Sequence, residues 1–225
     1  MLWQAIGDLL PSAVGVALSP LPIIAVILML GTPKAKTNGP AFAVGWVAGL
    51  VIVSVVVVLV ASGSDDADSG AATGVNWVQV VIGVLFLVLA VGQWRKRPKA
   101  GETAEMPKWM SAIDQFTAGK SLGLGAVLSG ANPKNLALTL AAASTIAQAG
   151  LSGGDTAIAI AVFVIIGSLT VAGPVLFYVF AADKAAGPLD SIKQFMSDHN
   201  AVIMMVLFVV LGVKILGQGL GGLAT

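Results

Sequence analysis

The chain repeats one short apolar pattern about halfway along its length. Residues 15–19 read GVALS, and residues 125–129 read GAVLS. Each copy runs into proline inside an otherwise apolar stretch, as PLP at 20–22 and as NPKN at 132–135. Proline removes a backbone donor and clashes with the preceding turn of a helix. The sequence therefore predicts two copies of one unit, with a broken helix at the same place in each.

A second repeated segment lies downstream of the first. The run VLFLVLAV at 84–91 is matched by VLFVVLGV at 206–213. In membrane transporters, internal repeats with interrupted helices place the substrate site at the interface between the two halves. The repeat therefore points to a transport site, provided that the chain lies in a membrane.

The composition indicates a membrane protein. The chain is 57% apolar and 10% charged, whereas a soluble domain carries about 25% charged residues. The net charge of +1 gives no reason to expect a nucleic-acid partner, and without cysteine no disulfide forms. No metal, cofactor or catalytic motif is found, so we expect no cofactor and no enzymatic activity.

Six stretches approach the length of about 20 apolar residues that a spanning helix needs. They cover approximately residues 5–31, 40–62, 75–94, 119–147, 155–182 and 200–220. The predicted fold is an all-α polytopic membrane protein with six transmembrane helices, of which the first and the fourth are broken.

The charges of the loops alternate. Lys and Arg occur in the first, third and fifth loops, at Lys34, Lys36, 95–99, Lys108, Lys184 and Lys193. The second loop, at 64–68, is acidic, and the fourth, near residue 150, has no basic residue. Positively charged loops stay in the cytoplasm, which predicts a plasma-membrane protein with both termini outside. Three spans per copy make the repeat an inverted one.

The domain organisation follows from these spans. Residues 1–97 form the first three-helix repeat, 98–118 a cytoplasmic loop and 119–225 the second repeat. Two short amphipathic segments are predicted to lie along the lipid headgroups, as simple anchors or as gating elements. Their apolar faces consist of Trp109, Met110, Ile113 and Phe116 in the loop, and of Leu189, Ile192, Phe195 and Met196 after span five.

The helix breaks carry the strongest signal for a site. Pro20 and Pro22 should unwind about one turn of span one, and Pro133 should do the same in span four. Backbone groups freed in this way cannot face lipid, so they are expected to line a cavity or a ligand. The alternative is a kink that serves packing only.

Lys134 lies deep in span four, where a lone lysine costs about 2.5–3.5 kcal/mol. Asn132 and Asn135 beside it supply amide donors and acceptors, and Ser19 precedes the first break. The functional interpretation is a site for an anion or a headgroup. The alternative is a lysine held by a buried carboxylate for structural reasons.

Two further charges lie in the spans. Asp8 is the only acid of span one, and Lys214 lies two turns before the end of span six. With Lys134 they would form a charged constellation reachable from the outer half, in which Asp8 couples transport to protons. Alternatively, Asp8 is a surface acid and Lys214 extends to the outer interface.

The segment ALSPLPI at 17–23, the basic turn at Lys34 and Lys36, and NPKN at 132–135 resemble the GAP family of actinobacterial membrane proteins. That family belongs to the lysine exporter (LysE) superfamily. The resemblance covers essentially the whole chain and implies the same six-span layout. It also implies movement of an envelope glycopeptidolipid or sulfolipid, with a site at Pro20, Pro22, Asn132, Pro133 and Lys134.

We therefore expect a transporter or flippase for an amphipathic or anionic envelope lipid. The expected partners are a lipid or lipid-linked glycan and the membrane, and a homodimer is compatible with the sequence. A small-solute exporter like the amino-acid-transporting relatives is one alternative. A scaffold for envelope assembly that transports nothing is the other.

Overall fold

The computed structural model describes residues 1–62, 69–95, 97 and 108–223. Within these residues the regular structure is entirely helical, with a short 3-10 helix at Lys108–Gln115. The α-helices are α1 (Leu2–Ala17), α2 (Pro20–Leu30), α3 (Ala35–Ser62), α4 (Ser69–Arg95), α5 (Ala118–Gly130), α6 (Pro133–Gln148), α7 (Gly153–Asp198) and α8 (Asn200–Leu223).

Three of the described helices are long and apolar enough to cross a membrane. They contain Ala35–Val60, Gly153–Asp198 and Asn200–Leu223, and α1 with α2 adds a fourth if this bent pair is one span. The all-α membrane class is thus confirmed, with three or four spans by length and composition. The acidic residues at 64–68, together with 96 and 98–99 of the basic run, lie outside the described residues.

Both predicted helix breaks are present. The first separates α1 from α2, with a bend of 50°, and the second separates α5 from α6. Pro20 and Pro133 each begin the second helix of the pair. Proline suits this position because its φ angle is already helical and its missing N–H would have no intrahelical acceptor.

The packing pairs elements from the two halves of the chain. Helix α1 packs against α7, α5 packs against α3, and α4 packs along α8. Between α4 and α8, the rings of Phe86 and Phe208 lie with their centroids 5.3 Å apart. These two residues hold the same position in the repeated VLF runs.

Glycine allows α3 and α5 to approach closely. A Cβ atom on Gly45 would overlap the backbone of Leu122, and one on Gly125 would overlap the carbonyl of Phe42. Small residues at such crossings are typical of membrane helices. By contrast, Gly119 and Gly123 have no described neighbour within 4 Å of the Cβ position.

The first amphipathic segment differs from its prediction. Its apolar side chains Met110 and Ile113 are buried, and the segment packs against α2. They therefore contact the protein core and not the headgroups. The second segment is the last part of α7, beyond the non-helical backbone angles of Ala181. There Leu189 is buried while Ile192 and Phe195 remain exposed.

Candidate functional site

The two helix breaks contact each other through their side chains. The hydroxyl of Ser19 donates a hydrogen bond of 2.8 Å to Asn135 Oδ1. The ammonium of Lys134 donates one of 2.7 Å to Ser19 Oγ. All three residues are buried, with Lys134 only 8% exposed. The sequence prediction that these residues share one location is therefore supported by direct contacts.

Side chains satisfy carbonyl groups that the breaks release. Asn132 N bonds to Val127 O, so the last turn of α5 leaves Leu128 O without its usual partner. Asn135 Nδ2 donates to this oxygen over 2.9 Å. At the other break, Thr170 Oγ1 of α7 donates to the carbonyl of Ala17. These contacts keep the interrupted backbone away from lipid, as its polar groups require.

The two helix starts are capped differently. Asn132 Oδ1 accepts a hydrogen bond of 3.1 Å from Lys134 N and so caps α6. Ser19 precedes α2 but makes no capping hydrogen bond with its side chain. Its hydroxyl is used between Lys134 and Asn135 instead. The side chain of Ser19 therefore connects the two breaks and does not cap α2.

The break region has one basic side chain, and no described acidic side chain lines the space beside it. Within the part of the chain that the structure describes, Lys134 donates only to Ser19, and the one ion pair joins Lys193 to Asp190. The starts of α2 and α6 add the positive ends of two helix dipoles. The buried carboxylate that would hold Lys134 for structure alone is therefore not found among the described residues. An anion fits this arrangement.

A small cavity, here called the break cavity, adjoins these groups. Its volume is about 90 Å³. Its polar lining consists of Ser19, Gln93, Asn132, Lys134, Asn135 and Asn200, and its apolar lining includes Pro20 and Pro22. Gln93 near the end of α4 and Asn200 at the start of α8 were not predicted from the sequence. The signal that could have identified them is an amide side chain at the end of one apolar span, and another at the start of a second span.

The predicted charged constellation is divided between two places. Lys214 Nζ donates to the backbone carbonyl of Asp8, and Asp8 lines a different cavity of about 570 Å³ near Met1. Asp8 precedes Ser19 by three helical turns, roughly 16 Å along the axis. The structure thus joins Asp8 to Lys214 and keeps both apart from Lys134, so this part of the prediction needs correction.

The family model described as Sap, sulfolipid-1-addressing protein, matches residues 9–221 of the chain. The match includes both helix breaks and the residues that join them. Neither a curated protein nor a solved structure shows significant similarity to the chain.

Proposed function

Since the chain belongs to the sulfolipid-1-addressing protein family, we propose that it moves an anionic or amphipathic envelope lipid across the plasma membrane. The family description supports a lipid-related membrane role. Flipping by a secondary transporter, without enzymatic chemistry, is the finer activity proposed here.

The observation that carries this proposal is the buried amino group of Lys134 at the contact of two helix breaks, which forms no ion pair with any described residue. Lys134 has three donor positions, of which one is used on Ser19 within the described residues. A buried charge is costly unless it is paired. A phosphate, sulfate or carboxylate headgroup entering the break cavity would supply the missing partner.

The positions of the helix ends support six passes through the membrane. Residues from four distant parts of the chain line one cavity, namely Met1, Gln79, Gln148 and Gly222. Gly31, Asp114 and Lys193 line another cavity of about 450 Å³. In chain order, these two groups alternate. We therefore propose six spans, with α1–α2 and α5–α6 each crossing as a broken helix.

The contacts between the halves support an inverted repeat. In the alignment of the two copies, α3 corresponds to α7 and α4 to α8. Helix α1 corresponds to α5 in the same way. A two-fold axis would therefore convert the contact of α1 with α7 into the contact of α5 with α3, and both contacts are present. Phe86 and Phe208 are equivalent and touch each other, as expected for residues beside such an axis. With basic loops inside, both termini lie outside.

We place an apolar layer at Gly15, between the break cavity and the cavity that Asp8 lines. A Cβ atom on Gly15 would lie 3.0 Å from Leu138 and 3.1 Å from Leu211. These residues belong to α1, α6 and α8. Helices α6 and α8 line both cavities, and α1 lines the one at Asp8. Alternating access requires this layer to open. Asp8, the acid of the second cavity, is the residue proposed to couple opening to protons.

Reconstituted liposomes test the transport function. The full chain is inserted into liposomes that contain a fluorescent sulfated glycolipid, and a membrane-impermeant quencher measures how much label changes leaflet. We expect transfer by the unmodified protein and loss of most of it in Lys134→Ala, while Lys120→Ala on the exposed start of α5 transfers normally. No transfer above protein-free liposomes, at any imposed pH gradient, argues against transport.

The same liposomes separate the alternatives. A small-solute exporter would move a labelled amino acid and leave the lipid in place. A scaffold would move neither, and its function would depend on a protein partner. The break cavity of about 90 Å³ has room only for a small charged group. This size suits the charged group of a lipid headgroup, which would enter the cavity while the acyl chains stay in the bilayer.

A further inference from the structure

The cavity that Asp8 lines has a chemistry of its own. It is here called the glutamine cavity, and its volume is about 570 Å³, within the range of small-molecule sites. Four helices, α1, α4, α6 and α8, provide its polar side chains. These are Gln4, Asp8, Gln79, Thr145, Gln148 and Gln218.

The four glutamine side chains have no hydrogen-bond partner within the part of the chain that the structure describes. A primary amide offers two donors and one acceptor oxygen. Hydroxyl groups also donate and accept, so a polyhydroxylated group can bond to several amides at once. The hydroxyl of Thr145 donates to Ala141 O, and its oxygen is still able to accept.

The charges at this cavity have both signs, which favours an uncharged group over an anion. Asp8 is the one charged side chain among its described lining residues, and Met1, which carries the amino group of the first residue, also lines it. Lys214, the neighbouring cation, donates to the backbone carbonyl of Asp8. An anionic group would be repelled by the Asp8 carboxylate, whereas sugar hydroxyls would donate to it. The break cavity, with Lys134, has the opposite preference.

We propose that the glutamine cavity is a second binding site, which holds an uncharged, hydroxyl-rich glycosyl headgroup. This inference deepens the proposed function, because it assigns the two cavities to different chemical groups of the cargo. The apolar layer at Gly15 would separate these two positions during transport.

Binding is tested separately from transport. The full chain in nanodiscs is titrated with maltose, a free disaccharide, and with a diacylglycerol lipid that carries a maltose headgroup. Gln148→Leu and Gln218→Leu remove hydrogen bonding at exposed lining positions. Gln194→Leu, on the exposed surface near the end of α7, is the matched control.

We expect the maltose lipid to bind, with an affinity about tenfold lower in each cavity variant and unchanged in Gln194→Leu. Binding of maltose itself would show that the glycosyl group suffices, and binding of the lipid alone would show that the chains contribute. Equal affinity in all variants, or no binding of either probe, overturns the inference. Binding by a protein that flips no lipid rejects the proposed function and leaves this site standing.

Failure of a leucine variant to fold does not end the test. Gln148→Glu and Gln218→Glu keep a polar side chain and add negative charge beside Asp8. They should retain binding of the uncharged maltose lipid better than the leucine variants do. A preference of the unmodified protein for phosphatidylglycerol, with displacement of the maltose lipid from this cavity, contradicts the proposal.

Discussion

Ser19 and Lys134 lie 115 positions apart and are joined by a buried hydrogen bond of 2.7 Å. The bond connects the start of α2 with the first turn of α6, and Asn135 extends it by accepting from the same serine. One hydroxyl thus holds together the two interruptions that proline creates.

Ser19→Ala should destabilise the protein by about 1–3 kcal/mol, because it leaves Lys134 and the Asn135 carbonyl without their buried partner. The repeat supplies a control in Ser129, whose hydroxyl donates to Ala126 O of its own helix and to no other described residue. Ser129→Ala should cost less. Thermal unfolding of both variants in the same detergent makes the comparison, and equal loss would show that Ser19 has no special role.

The crossing of α3 and α5 should tolerate no side chain at Gly45. Gly45→Ala places a methyl group against the backbone of Leu122, and such overpacking costs typically about 1–3 kcal/mol. Gly123→Ala is the matched control, since nothing described lies within 4 Å of its Cβ position. That variant should be neutral or stabilised by up to about 1 kcal/mol, because alanine favours helix. Melting temperatures of the purified variants decide.

The sequence predicts the breaks because proline acts locally. Pro20 and Pro133 interrupt helices by their own covalent structure, and both closely follow the repeated segment, so a contact between the breaks could be expected. Lys134 was identified for the same reason, as a charge in an apolar stretch. Residues inside such stretches are informative because each polar group there needs a partner.

The glutamine cavity could not be predicted in this way. Gln4, Gln79, Gln148 and Gln218 are spread over the chain, and each taken alone is an ordinary polar residue at a helix end. Only the packing of four helices brings them together. The prediction that Asp8 lies near Lys134 was wrong. It relied on their opposite charges, whereas the rise of α1 between Asp8 and Ser19 places Asp8 at a different depth from Lys134.

The topology should be accessible to single-cysteine labelling, since the chain has no cysteine of its own. Ser152 and Ser191 are exposed at the start and near the end of α7. In intact cells, an impermeant maleimide should react with Ser152→Cys and not with Ser191→Cys. Membranes opened by detergent should label both. The reverse pattern in cells would place the basic loops outside and invert the proposed orientation.

The apolar layer at Gly15 should control transport and not binding. Gly15→Val would push against Leu138 and Leu211, which already lie 3.0 and 3.1 Å from the Cβ position. We expect a folded protein whose lipid flipping falls at least tenfold while both cavities still bind their probes. Gly7→Val, in the same helix with nothing within 4 Å, should transport normally. Undiminished flipping in Gly15→Val would exclude this layer as the barrier.

Lys134 gives the most decisive prediction, because its two interpretations predict different changes in stability for Lys134→Ala. If the ammonium binds the headgroup, Lys134→Ala abolishes flipping and leaves the melting temperature unchanged or higher, since no described carboxylate loses a partner. If it is a structural partner, the same change lowers stability by about 3–5 kcal/mol, as breaking a buried pair does.

Lys134→Arg should also transport poorly, because a planar guanidinium does not replace a compact ammonium beside a cavity of about 90 Å³. Flipping and unfolding are therefore measured on the same purified samples, with Lys120→Ala as the control for loss of a lysine. Normal flipping together with normal stability in Lys134→Ala would remove this residue from both interpretations, and the transport site would then have to lie away from the helix breaks.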